Sequence, residues 1–190
     1  MFRKILLSAP LVLAASIAQA VDAPPAMRAF VDSDVMGWAM SPEVIAAVNK
    51  QNAETAGASN EQILEWDNTW RGQVGQSDQP FISEVMGHEL SAFLKQKVDE
   101  SGGRITEIFI MDALGLNVAA SDITSDYWQG DEDKYSKSYG AGSGAVFVDA
   151  IEFDDSSQTY QGQISVALTD PATGEVVGAM TIGLNAEAFF

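Results

Sequence analysis

Residues 121–144, SDITSDYWQGDEDKYSKSYGAGSG, are the stretch around which this chain is organised. It lies between two segments that alternate as β-strands, Leu116–Ala120 and Ala145–Phe153. Hairpin loops are normally short, so a connection of this length between strands has a purpose of its own. Asp126, Tyr127, Trp128, Asp131, Glu132, Tyr135 and Tyr139 sit within it. Tyrosine and tryptophan join a flat apolar body to a polar tip, which suits them to wrapping a small molecule. One reading is therefore a lid over a ligand pocket. The other is a surface insert whose aromatics complete the core.

Working outward, the flanking chain reads as five strands. Arg104–Met111 comes first, Asp112-Ala113-Leu114-Gly115 turns the chain, and Leu116–Ala120 is second. Ala145–Phe153 follows the insert and is closed by Asp154-Asp155-Ser156-Ser157. In Thr159–Thr169, Tyr160, Ile164, Val166 and Leu168 share one face, and Gln161, Gln163, Ser165 and Thr169 the other. Asp170-Pro171-Ala172-Thr173-Gly174 is a turn by residue type, and Glu175–Leu184 is the fifth strand. Short connections argue for antiparallel pairing. Asn185 is suited to cap a short final helix, Ala186 to Phe190.

Upstream, residues 24–102 carry a helical pattern. Ser41-Pro42-Glu43 places an N-cap, a proline at the first helical position and an acid in the first turn. Ser59-Asn60-Glu61-Gln62 has the form of a capping box, followed by Ile63, Trp66 and Trp70 at helical spacing. A third helix is expected from Pro80 to Glu100, with His88 inside it, stopped by Ser101-Gly102-Gly103. Trp38, Trp66 and Trp70 are assigned to the core. The fold expected is α+β: N-terminal helices on one face of a five-stranded antiparallel sheet (residues 104–184), with a long insert between strands two and three. The opposite face is left for the insert.

The first 20 residues read as a secretory signal. Arg3 and Lys4 form the charged region, Ile5 to Ala18 is apolar, and Ala18-Gln19-Ala20 is a small-x-small cleavage site, giving Val21 as the mature N-terminus. The remaining 170 of 190 residues suit one domain, 21–190. The expected location is periplasmic or secreted, with no membrane insertion after cleavage. The formal charge is −17, and removal of Arg3 and Lys4 makes it −19. Such a surface repels nucleic acid and anionic lipid. The absence of cysteine excludes disulfides and thiol chemistry.

The catalytic inventory is poor. His88 is the single histidine, with only Glu84 and Glu89 close in sequence. Gly140-Ala141-Gly142-Ser143-Gly144 lacks the spacing of a nucleophile elbow and the Lys-Ser/Thr of a phosphate loop. Asp122, Asp126, Asp131, Glu132 and Asp133 supply hard oxygens for calcium, but without the spacing of an EF-hand. An irregular calcium site and a solvated acidic loop both remain open there. No enzyme, no cofactor and no resident metal are expected.

From about Val31 to Leu184 the chain resembles a single Cache domain, the PAS-like extracytoplasmic sensor also called the PDC type. The resemblance rests on long N-terminal helices, on Glu107-Ile108-Phe109-Ile110-Met111-Asp112-Ala113-Leu114-Gly115, on Asn117-Val118-Ala119-Ala120-Ser121, and above all on Asp126-Tyr127-Trp128-Gln129-Gly130-Asp131-Glu132. It implies a small-molecule ligand, such as an organic acid, amino acid or amine, held between the sheet and the insert. Under that reading Tyr127, Trp128 and Tyr135 form aromatic walls, Asp131 and Asp170 are polar anchors, and Ser165 or Thr169 lines the floor. Cache domains usually sit between two transmembrane helices. Up to Phe190 this sequence shows no second such segment, so the expected role is signal transduction through a separate membrane partner: a histidine kinase, cyclase or chemoreceptor. The alternatives are an adaptor module with a vestigial pocket and a calcium-stabilised exported protein.

Overall fold

The computed structural model describes residues 22–154 and 158–190. The expected signal segment Met1–Ala20, the mature terminus at Val21 and Asp155-Ser156-Ser157 of the third turn lie outside the described residues. The chain opens with α1 (Pro25–Phe30), which runs through a π-helical turn (Val31–Val35) into α2 (Met36–Ala39). Helix α3 (Pro42–Thr55) starts where the Ser41 hydroxyl accepts the Val44 amide at 3.5 Å. Helix α4 (Asn60–Gln73) starts at a complete capping box. The Gln62 amide donates to the Ser59 hydroxyl, and the Ser59 amide donates to Gln62 Oε1, both at 3.3 Å.

The expected third helix is two. Helix α5 (Pro80–Met86) and helix α6 (Glu89–Glu100) meet at Gly87-His88. A Cβ at Gly87 would lie 2.8 Å from the Ser83 carbonyl oxygen. His88 is extended there, and its Nδ1 accepts the Leu90 amide at 3.1 Å. It is an N-cap and not a helix-interior residue. The break has a packing reason. Ile82 and Val85 face α4, whereas Leu90 and Leu94 face the sheet, and one straight helix does not serve both. Among the described residues, no helix is long and apolar enough to cross a membrane.

The five strands are β1 (Ile105–Met111), β2 (Asn117–Ala120), β3 (Val146–Asp154), β4 (Thr159–Thr169) and β5 (Val176–Asn185). They pair antiparallel in the order β2-β1-β5-β4-β3. This is the α+β arrangement that the alternating pattern called for. Asn185 caps a final 3-10 turn (Ala186–Phe189), its side-chain oxygen accepting the Glu187 amide at 3.1 Å.

Period-two alternation gives the sheet two different faces. Ile108, Ile110, Ile164, Val166, Leu168, Met180 and Ile182 lie under the helices and are buried with Val31, Val44, Val48 and Leu94. Each such side chain contributes about 1.5–3 kcal/mol on burial. The opposite face carries Glu107, Phe109, Met111, Gln163, Ser165, Ala179 and Thr181, and part of the insert covers it.

Candidate functional site

The insert divides into two arms that make different contacts. The first arm, 121–128, is pinned to the helices by Asp67 of α4. This carboxylate is 5 % exposed. Its Oδ1 accepts the backbone amides of Tyr127 and Trp128, both at 3.0 Å, and its Oδ2 accepts Arg71 Nε at 2.7 Å. Arg71 also reaches Asp126 at 3.5 Å. Asp126 first, then Asp67, raises the guanidinium's affinity for its proton. A buried carboxylate with three donors is satisfied, and the arm is held by charge-assisted hydrogen bonds.

Tyr127 is consequently buried, stacked on Trp70 at 5.6 Å and edge-on to Phe81 at 4.7 Å. Burial, with Asp112, Glu84 and Glu54 nearby, pushes its phenol up. Trp128 folds over the β1–β2 turn, where its Nε1 donates to the Leu114 carbonyl at 2.9 Å. The turn beneath it is tight. Gly115 has φ +81°, and a Cβ there would come within 2.5 Å of the Gly130 Cα.

The second arm, 129–144, lies on the sheet face away from the helices. It holds helix α7 (Asp133–Ser136) and a 3-10 turn (Tyr139–Ala141). Tyr135 and Tyr139 stack at 5.0 Å over Phe109, Met111, Ala120 and Ala179. The Tyr135 hydroxyl donates to the Ala113 carbonyl at 2.6 Å, and burial pushes it up. Lys134 stands 5.4 Å from the Phe109 ring centre and pairs with Glu132 at 3.0 Å.

Beside the start of this arm, the sheet face opens into a cleft of about 240 Å³, lined by Lys134, Glu132, Asp149, Asp154, Gln161 and Gln163 among others. A bulge in β3 between Val148 and Ile151 brings Asp149 to its rim. Glu107 lies behind the two glutamines. Its Oε1 accepts Gln161 Nε2 at 2.7 Å and Gln163 Nε2 at 3.1 Å. Burial raises its pKa, while the two glutamine donors and Lys134 pull it the other way. Glycine at 183 lets Thr106, Glu107 and Gln161 pack directly against the β5 backbone. A Cβ there would meet Thr106 Oγ1 at 2.6 Å, Glu107 Cγ at 2.7 Å and Gln161 Cδ at 2.9 Å.

The six ligand-binding residues expected from sequence do not converge. Tyr127 and Trp128 sit on the helix side with the first arm. Tyr135 and Ser165 share the other sheet face, where Ser165 is fully buried and bonded to Thr181 at 2.9 Å. Thr169 meets Ser143 at 3.0 Å and ties down the end of the insert. Asp131 is exposed. Asp170 serves its own turn, accepting the Ala172 amide at 2.8 Å and Asn49 Nδ2 at 3.1 Å. Tyr127 and Trp128 lie on the first arm, which runs along the β2 edge (the Asn117 amide donates to the Tyr127 carbonyl at 3.0 Å and the Gln129 amide to the Gly115 carbonyl at 2.8 Å), while Tyr135 lies on the second arm. The acids considered for calcium also diverge: Asp126 faces Arg71, Glu132 faces Lys134 and Asp133 faces Lys137.

The residues that sequence reasoning passed over are Asp67, Glu107 and Lys134. A signal existed for Asp67: it falls between Ile63 and Trp70 on the apolar stripe of α4, where an acid has to be paired. Gln161 and Gln163 were placed on the correct strand face, but Glu107, on another strand, is joined to them only by the sheet.

No protein-family model matches the chain, and no curated protein does. Solved structures with similarity include the extracellular domain of a protein described as a histidine kinase, rpHK1S-Z16. Identity is 15 % and TM-score 0.45, with 72 % of this chain and 60 % of that one covered. The ligand-binding domain of Campylobacter jejuni chemoreceptor Tlp3, in complex with 4-methylisoleucine, gives 11 %, 0.42, 82 % and 65 %. The sensor domain of the V. cholerae histidine kinase DctB gives 10 %, 0.38, 77 % and 59 %. The chain thus spans about three-fifths of the length of these structures.

Proposed function

We propose that this chain is an extracytoplasmic sensor domain that binds a small metabolite without catalysis and signals through a membrane partner such as a histidine kinase, cyclase or chemoreceptor. The observation that carries the reading is the cleft at Lys134, Gln161 and Gln163. It offers a cation, two amides and several carboxylates. That mixture matches a ligand with both an anionic and a cationic group, of the amino-acid kind, better than a purely apolar one. The secretory signal expected from the sequence of residues 1–20 supports the location.

The second arm provides the means of signalling. Lys134 lies on α7, so a ligand that engages Lys134 together with Gln163 of β4 ties the arm to the sheet. Binding to the native state raises the melting temperature by mass action, by about 2.7 kcal/mol of stability at a hundredfold excess over Kd. A thermal-shift screen of amino acids, organic acids and amines is expected to yield a stabilising compound. Lys134→Ala and Gln163→Ala should each remove that shift. A screen without any shift, or a shift that both variants retain, overturns the assignment of this cleft.

A further inference from the structure

A second cleft lies on the helix side of the sheet, between α3 and the α5–α6 pair. Its volume is about 190 Å³, the space of roughly six waters at about 30 Å³ each. Two side chains in it each keep one polar atom without a hydrogen-bond partner among the described residues. Gln51 donates its Nε2 toward Asp112 Oδ2 at 3.3 Å, the Leu116 carbonyl at 3.4 Å and the Asn117 carbonyl at 3.3 Å. Those three acceptors fix the amide's orientation and leave Oε1 without a donor among the described residues. The Tyr127 hydroxyl also makes no hydrogen bond among the described residues, although Tyr127 is only 6 % exposed and lines the cleft. Its nearby charges are Asp112, Glu84 and Glu54, which places the hydroxyl on the acidic side.

The cleft carries acceptors at Gln51, Tyr127, Glu54 and Glu84, and its donors are Lys50 and the Nε2 of His88, whose Nδ1 accepts the Leu90 amide. Asp112 is already committed to Thr55 and to the Leu114 and Leu116 amides, but Glu54 and Glu84 are exposed at the mouth. Lys50 pairs with Glu54 only loosely, at 3.8 Å, with both side chains largely in water. An apolar groove of about 360 Å³ continues from it past Ala47 and His88, which line both, to Leu90 and Phe93.

We propose that this groove binds a primary aliphatic amine. The ammonium sits at Gln51, Tyr127, Glu54 and Glu84, and the hydrocarbon chain runs toward Leu90 and Phe93. An ammonium brings three donors and no acceptor, which complements the acceptors at those four residues. The site is separate from the cleft at Lys134 and does not depend on that reading.

The test is calorimetric titration with n-hexylamine, hexan-1-ol and hexanoate. Hexylamine should bind, hexan-1-ol about tenfold or more weakly, and hexanoate not measurably, because a hydrogen bond to a charged group is worth about 1.5–3 kcal/mol. Tyr127→Phe should leave the melting temperature unchanged, since the hydroxyl has no internal partner, and weaken hexylamine about tenfold. Glu84→Gln should weaken it by a similar factor. Glu65→Gln on the outer side of α4 should leave it unchanged. Equal binding of amine and carboxylate overturns the proposal. So does full affinity in both Tyr127→Phe and Glu84→Gln, which would mean only attraction to an acidic surface, or a lowered melting temperature in Tyr127→Phe, which would mean a spent hydroxyl.

Discussion

The two faces of the sheet are built by alternate residues of the same strands, yet they differ in kind. Under the helices, Ile108, Ile110, Ile164, Met180 and Ile182 interlock with α3 and α6 in a continuous aliphatic layer. Under the second arm, the neighbouring positions are Glu107, Phe109, Gln163, Ser165, Thr181 and Gly183. The first face is a core, where burial supplies stability. The second is partly polar, joined by specific hydrogen bonds, and ends in an open cleft. One layer holds the sheet flat against the helices, which leaves the other free to specialise. A glycine at 183 or a serine at 165 is affordable only because the helix face supplies the stability.

That comparison breaks most visibly at Ile110. It is fully buried on the helix face, so Ile110→Ala should cost about 2–5 kcal/mol in denaturant unfolding. Ser165→Ala, on the other face, should cost about 1 kcal/mol, the worth of one neutral hydrogen bond. Similar costs at the two positions would abolish the distinction. The next effect is at Asp67, which joins the first arm to the helical layer. Asp67→Ala strands two backbone amides and frees Arg71, and should cost about 2–3 kcal/mol. It should also raise amide hydrogen exchange at Tyr127 and Trp128 while leaving the arm around Tyr135 protected. Exchange that rises in both arms together would show that the insert acts as one unit.

The smallest effect concerns pH. Burial raises the pKa of Glu107 in the folded state above its unfolded value, so the folded protein holds this proton to higher pH. Stability linked to Glu107 is then greatest below the unfolded pKa and is lost as pH rises through the folded one. Glu107→Gln removes that loss. It should raise the melting temperature slightly at neutral pH and leave it unchanged in acid, where the wild-type carboxyl is already neutral. A variant destabilised at neutral pH would show that the carboxylate's bonds to Gln161 and Gln163 outweigh its desolvation.

Much of this molecule was written in local pattern. Ser41-Pro42-Glu43 and Ser59 to Gln62 mark helix starts because caps are made by residues a few positions apart. The alternation in Thr159–Thr169 assigns Ile164, Val166 and Leu168 to one face and Ser165 and Gln163 to the other, because side-chain direction in a strand has period two. The break at Gly87-His88 was not legible, since the apolar residues on either side continue a helical spacing while facing different neighbours.

The path of the insert was decided by tertiary structure alone. Its composition named the aromatics, but their destination depends on Asp67, 60 residues upstream of Tyr127. The cleft joins Glu107 to Gln161 and Gln163 across β5, 54 and 56 residues apart in the chain. Sequence determines what each strand and helix presents, because those rules act over a turn or a pleat. Which presented groups meet is set by strand order and by the docking of the helices, and no spacing along the chain encodes either.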